Sequence, residues 1–360
     1  MVFYGSRRKK RNRKRMNRGI KILLIALLSC SIIIGTAIAI IPLIISQGQP
    51  DIEAEERLSF LELVESVNMN EEEPDAERRV PLGFAGEDRK ELFFTFLILG
   101  LTEGLNANTI MVASYDAMNQ EMNLVSIPRD SLVNADRNVR KINAAYPLGT
   151  LNGGGVEGGV VQMKREVASV IGFVPDFYIV IDYTAFERII DVIGGVYIDV
   201  PFTMRYDDPC QNLHIHLLPG LQRMDGRSAL HFARYRQSNF GYQDITDYQR
   251  IENQQTVIDA VFSKLLRAEN LLRIPTFIEI FSENVHTNLS GWNLLWFADE
   301  LNNIRGTDAL STYTVPTIGS SGPPMWYEIL DGPGIVELVN RTINPFVQNV
   351  ELQDLDIIDW

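Results

Sequence analysis

The residues of this chain best suited to chemistry are arginines set beside carboxylates. Ser126-Ile-Pro-Arg129-Asp130 follows the end of a predicted strand, where a loop can present Arg129 to a cleft. Ala229-Leu-His-Phe-Ala-Arg234-Tyr-Arg236 places two guanidinium groups two residues apart, just after an apolar stretch. Asp247-Tyr-Gln-Arg250-Ile-Glu-Asn-Gln254 has helical character. There Arg250 and Gln254 share a face, and Asp247 lies one turn before Arg250. The planar guanidinium fork suits phosphate oxygens. Several arginines near apolar strands therefore suggest an anionic ligand with a greasy body. Spacing alone leaves a second reading open, in which the same arginines form surface salt bridges with the chain's abundant acids.

Other motifs carry less. Gly153-Gly-Gly155-Val-Glu-Gly158 matches G-x-G-x-x-G, but no strand directly precedes it, so it reads as a flexible start to a helix. His214-Ile-His216 puts two imidazoles on one face of a strand, without a third ligand at a diagnostic spacing. No Gly-x-Ser-x-Gly is present, and Ser-His-Asp catalysis is not supported.

The elements that must position the arginines alternate. Strands are expected at 92–101, 109–115, 122–127, 176–182, 196–201 and 311–316. Helices are expected at 158–171, 184–195, 228–234, 248–266, 292–304 and 334–342. This order predicts an α/β fold with a central mixed sheet flanked by helices.

The N-terminus differs in kind. Residues 1–50 hold ten Lys/Arg and no acid, whereas residues 51–360 hold 23 basic and 46 acidic residues. The acidic bulk argues against nucleic acid as a partner. The run 22–45 has 24 residues without a charge. As a helix it reaches about 36 Å, enough for a hydrocarbon core of about 30 Å. Ala37-Ile-Ala39 has the form of a signal-peptidase site, yet the apolar run continues past it to Ile45. The segment therefore reads as an uncleaved anchor. The basic residues before it place the N-terminus in the cytoplasm and the main domain outside. Cys30 and Cys210 fall in different compartments, so no intrachain disulfide is expected.

Taken in order, these segments resemble the LytR–CpsA–Psr family of cell-envelope glycopolymer transferases. The resemblance is carried by SIPRD (126–130), KINAAY (141–146), DVIGGVYIDVPF (191–202), LPGLQRMDGRSALHFARYR (218–236) and DYQRIENQQ (247–255). It implies a long apolar pocket for a prenyl chain. It also implies transfer of a glycan phosphate from a polyprenyl-pyrophosphate carrier to peptidoglycan or another envelope acceptor, next to membrane lipid. By matching positions it assigns Arg129, Lys141, Arg234, Arg236, Arg250 and Gln254 to the pyrophosphate. Arg129, Asp130, Arg234, Arg236 and Asp247 become the catalytic set, with Asp130 and Asp247 as candidate bases.

The chain departs from the family where magnesium is held. The family carries an Asp in a Gly-x-Asp and another in an Arg-Ser-Asp-Thr. Here those positions read Gly100-Leu-Thr102 and Asn106-Ala-Asn108-Thr109, and Asn253 stands where an arginine is common. Glu103 or Asn108 at most remains as a ligand, which argues against a conventional magnesium site. A non-catalytic binder of polyprenyl phosphate is the alternative. The domain expectation is a basic tail (1–21), a transmembrane helix (22–45) and an acidic linker with a short helix (46–90). The main domain (91–345) and a C-terminal tail (346–360) follow.

Overall fold

The computed structural model describes residues 45–50, 88–102, 106–266, 279, 281, 283–304 and 309–358. Residues 1–49 and 50–360 cluster as separate units. The basic tail, nearly all of the apolar run 22–45, most of the acidic linker and Glu103 lie outside the described residues. Among the described residues no helix is long and apolar enough to cross a membrane.

The larger unit begins with three antiparallel strands, β1 (Phe93–Leu101), β2 (Ala107–Asp116) and β3 (Glu121–Ser126). Helix α1 (Gly155–Ile171) leads to β4 (Phe177–Ile181), which pairs with β1 in parallel. Next come α2 (Tyr183–Val192), β5 (Val196–Val200), β6 (Met204–Asp208), β7 (Leu213–Leu217) and β8 (Gly220–Met224). Helices α3 (Gly226–Arg234) and α4 (Asp247–Leu265) precede β9 (Val285–Thr287) and α5 (Gly291–Asn303). The chain continues through β10 (Leu310–Thr314), β11 (Thr317–Ser320), β12 (Glu328–Leu330) and α6 (Gly332–Thr342). The main sheet runs β10-β3-β2-β1-β4-β9 and is mixed, as its sequence pattern predicts.

β1 is central, and its apolar run follows from burial on both faces. Leu97, Leu99, Val112 and Val125 pack with Val160, Met163 and Val167 of α1 and with Ile335, Leu338 and Val339 of α6. On the opposite face Phe94 and Phe96 meet Phe297 of α5 edge-on, with ring centres 5.3 and 5.2 Å apart. Farther along that face, Ile98, Ile179 and Ile181 are only half-buried although β1 and β4 are inner strands. A second core joins β5, β6 and β7 to α3 and α4 through Ile198, Met204, Ile215, Phe232, Tyr235 and Val257.

Two expectations change. The glycine-rich stretch starts α1 at Gly155 (φ 56°), three residues earlier than the periodicity suggests. Gly149 and Gly158 allow close backbone passage, since a Cβ on Gly149 would lie 2.1 Å from the Gly158 carbonyl oxygen. The stretch 346–360, expected as a tail, contributes to the main core. Phe346 and Val350 are buried there, and Leu355 and Ile357 pack against the same cluster. Val347 N donates to Asp88 O (2.9 Å) and Asp356 N to Ser169 O (2.8 Å). Its apolar residues follow neither the helical nor the strand period, because the segment is irregular and includes a short 3-10 turn at Leu352–Asp354.

Candidate anion-binding site

The loop after β3 carries Arg129 and Asp130, and neighbouring backbone holds it from both sides. Glu328 N donates to Asp130 O (3.0 Å) and Leu132 N to Glu328 O (2.9 Å), so β12 fixes one edge. Ile142 N donates to Ser131 O (3.0 Å) and Asn143 N to Arg129 O (3.2 Å), which brings the KINAAY segment alongside. Lys141 Nζ then lies 3.0 Å from Asp130 Oδ1. Arg129 donates from NH1 to Asn108 Oδ1 (3.0 Å) at the start of β2.

Helix α4 supplies the facing groups. Thr246 caps it in a capping box with Gln249, which sets Asp247 and Arg250 in the first turn. Arg250 NH2 is 2.9 Å from Asp247 Oδ1, and Arg129 Nε is 3.5 Å from the same oxygen. One carboxylate thus lies between two guanidinium groups. The helix is fastened to the sheet by Gln255, whose Nε2 donates to Ser126 Oγ (2.9 Å) and Tyr313 O (2.9 Å).

Arg236 arrives by another route. Buried Tyr235 donates its hydroxyl to Gln243 O (2.5 Å), and Ile245 N donates to Arg236 O (2.8 Å). This closes the loop between α3 and α4 and returns the chain near Arg250. Burial pushes the Arg250 guanidinium down to about 10, against the attraction of Asp247; Arg129 and Arg236 push the same way as burial, and Asp130 opposes it. Arg250 remains a cation at neutral pH. Asp247, Arg129, Arg236 and Asp130 are thus near enough to act on Arg250.

The hydrogen bonding of this group is incomplete. Arg129 Nε, Arg250 Nε and both carboxylate oxygens of Asp247 are buried without a hydrogen-bond partner. Buried donors left this way are costly, so the two Nε–H groups have capacity for an anion, whereas Asp247 Oδ1 is engaged electrostatically by both guanidinium groups. Arg129, Lys141, Arg236 and Arg250 against Asp130 and Asp247 leave a net charge of +2.

Two residues of the expected set stand apart. Arg234 lies over the Tyr183 ring, 4.3 Å from its centre, and donates to Gln211 Oε1 (3.2 Å). Among the described residues no hydrogen bond or ion pair joins it to Arg129 or Arg250. It ends α3, and Arg236 follows as an exposed residue beyond the Tyr235 cap. Gln254 is half-buried on the Arg250 face, and among the described residues no hydrogen bond links it to the arginines. Gln255 was not legible as a site-fixing residue, although Ile251 four positions earlier marks the same buried face.

The described residues do not fit a magnesium ion. Asn108 offers a neutral amide oxygen already taken by a guanidinium, and Asp130 and Asp247 are each engaged by cations. Magnesium prefers hard anionic oxygens. Among the described residues no group of three or more His, Cys, Asp and Glu could hold a metal ion. His214 pairs with Asp207 instead, Nδ1 to Oδ1 at 2.9 Å.

Sheet order, helices on both faces and the arginine-bearing loop define an α/β domain, and comparison with known proteins supplies its class. The LytR_cpsA_psr family matches residues 50–343, and the chain belongs to that family. It is 28% identical over 213 residues to the Bacillus subtilis polyisoprenyl-teichoic acid–peptidoglycan teichoic acid transferase TagV. That match covers 56% of this chain and 51% of TagV, so the chain spans about half the length of that relative. It is 27% identical over 241 residues to the regulatory protein MsrR of Staphylococcus aureus, covering 65% of this chain and 67% of MsrR. The crystal structure of B. subtilis TagV shares the fold, with a TM-score of 0.58 at 24% identity over 75% of this chain and all of that one.

Proposed function

We propose that this protein is a membrane-anchored phosphotransferase. It moves a glycopolymer from a polyprenyl-pyrophosphate carrier to peptidoglycan or another envelope acceptor. The observation that carries this reading is the pair of buried guanidinium nitrogens, Arg129 Nε and Arg250 Nε, that donate no hydrogen bond, set in a cluster with an excess of positive charge. A pyrophosphate diester carries two negative charges, which match the local excess of two positive ones. The half-buried Ile98, Ile179 and Ile181 suit the prenyl chain, whose burial contributes about 0.8 kcal/mol per methylene. The basic run 7–15 and the apolar run 22–45 suit an anchor with the domain outside.

In the reaction an acceptor hydroxyl oxygen bonds to the phosphorus nearest the sugar. The bond from that phosphorus to the bridging oxygen breaks, and polyprenyl phosphate leaves with the electron pair. The hydroxyl proton passes to a base or to water. Arg129, Arg236 and Arg250 stabilise the charge gathering on the departing phosphate. On this reading the guanidinium groups supply much of the positive charge that the absent family carboxylates would otherwise recruit as magnesium. A second reading, a non-catalytic binder of polyprenyl phosphates, is favoured by one observation: Asn108 holds Arg129 where the family carries a carboxylate.

Calorimetry with geranylgeranyl pyrophosphate tests both readings. The expected result is binding that EDTA leaves unchanged. Absence of binding sinks both, and loss of binding in EDTA sinks the metal-free site. Transfer from a lipid-linked teichoic acid to peptidoglycan then separates enzyme from binder.

A further inference from the structure

We propose that Arg137 and Glu166 form a buried clamp that positions Lys141 for the pyrophosphate; the proposal rests on the reading above. The segment between Val133 and Lys141 runs along the surface, and Asp136, Asn138, Val139 and Arg140 are exposed. Arg137 turns inward, with 13% of its side chain exposed, onto Glu166 of α1, which is 6% exposed. The pairing is two-pronged: NH1 meets Oε1, and NH2 donates to Oε2 at 2.8 Å. Gln162 Nε2 supports Glu166 Oε1 from one helical turn away (3.0 Å).

The remaining donors of Arg137 act on the backbone. Nε donates to Val139 O (2.7 Å), and NH2 donates to Lys141 O (2.7 Å). The surface loop is closed by its own backbone, Val133 N to Arg140 O (3.0 Å), so neither of these bonds is needed for closure. The second fixes the residue whose ammonium group stands 3.0 Å from Asp130, beside Arg129. A rigid helix thereby reaches the site through one guanidinium. Lysine has a flexible four-carbon stem, so fixing its backbone narrows where the charge can sit. The clamp touches none of the site's charged side chains, which makes Arg137 and Glu166 positioning residues.

A double-mutant cycle on the full chain in detergent micelles tests the clamp, with geranylgeranyl pyrophosphate as the probe. Arg137→Gln is expected to weaken binding roughly ten-fold when Lys141 is present, and by less than about two-fold in the Lys141→Ala background. A merely structural role lowers the melting temperature without that dependence on Lys141. Equal loss in both backgrounds, or no loss, overturns the clamp. Failure of the unaltered protein to bind overturns the pyrophosphate reading itself, and the clamp with it. Should Arg137→Gln not fold, Glu166→Gln, which keeps the shape and one acceptor, is carried through the same cycle with the same expectation.

Discussion

Two buried arginine–carboxylate groups in this protein are built differently. Arg89 and Asp176 satisfy each other: NH1 to Oδ1 is 2.6 Å and NH2 to Oδ2 is 2.7 Å. Asp176 also accepts from Thr95 N (2.9 Å) and Oγ1 (2.7 Å), and Arg89 donates to Phe93 O (2.9 Å). Arg129, Asp247 and Arg250 are also withdrawn from water, yet four of their polar atoms lack hydrogen-bond partners. The first group closes on itself and staples the chain before β1 to the turn before β4. The second holds two guanidinium groups around one carboxylate with bonding capacity to spare. The difference teaches that burial of charge does not mark function; unspent hydrogen bonding does.

That contrast can be broken by mutation. Asp176→Ala should lower stability by about 3–5 kcal/mol, since it strands a buried guanidinium. Chemical denaturation measures this, and pyrophosphate affinity of the folded fraction should stay unchanged. Arg250→Ala should do the reverse. It should cost about 2–4 kcal/mol of ligand stabilisation, roughly thirty- to a thousand-fold. The melting temperature should fall less than in Asp176→Ala, because Arg129 Nε still stands 3.5 Å from the Asp247 carboxylate that truncation leaves behind. If both variants lose stability and neither loses affinity, the two groups are alike and the contrast fails.

A smaller effect divides two neighbours. Arg236→Ala should weaken pyrophosphate binding about ten-fold, as loss of one charge-assisted contact does. Arg234→Ala should cost no more than about 1 kcal/mol, the scale of its stacking on Tyr183. Equal losses in a calorimetric titration would move Arg234 into the site.

The smallest effect concerns acid. Burial, with Arg234 and Arg227, holds His231 below its usual 6.5. The unfolded chain then binds a proton that the folded protein does not. Stability contributed this way is complete above pH 6.5 and falls as pH drops below it. Replacing His231 with Gln should flatten that slope between pH 6.5 and 5 in denaturation curves.

Much of the fold is legible from periodicity. The inner strands read as apolar runs, and the helices show their buried faces to within a few residues. The strands of the smaller hairpins are harder to read. β6 is Met-Arg-Tyr-Asp-Asp and β11 is Thr-Ile-Gly-Ser, so neither offers a run of apolar residues. They pair because their neighbours bring them together, as Asp207 meets His214 across one hairpin. The arginines of the site are legible as types and spacings. Gln255, Arg137 and Glu166 are not, since Gln255 pairs with Ser126 and Arg137 with Glu166 across separate elements.

By itself, then, the sequence determined the alternation of strands and helices, the charge asymmetry of its ends and the identity of the guanidinium groups available to an anion. Those properties are local: each follows from a few neighbouring residues and a repeat of two or 3.6. Only the tertiary structure decided that Arg129 and Arg250 meet at Asp247 while Arg234 stacks on Tyr183, and that residues 346–357 complete the core. Those outcomes depend on distances between segments far apart along the chain, and no local repeat encodes such a distance.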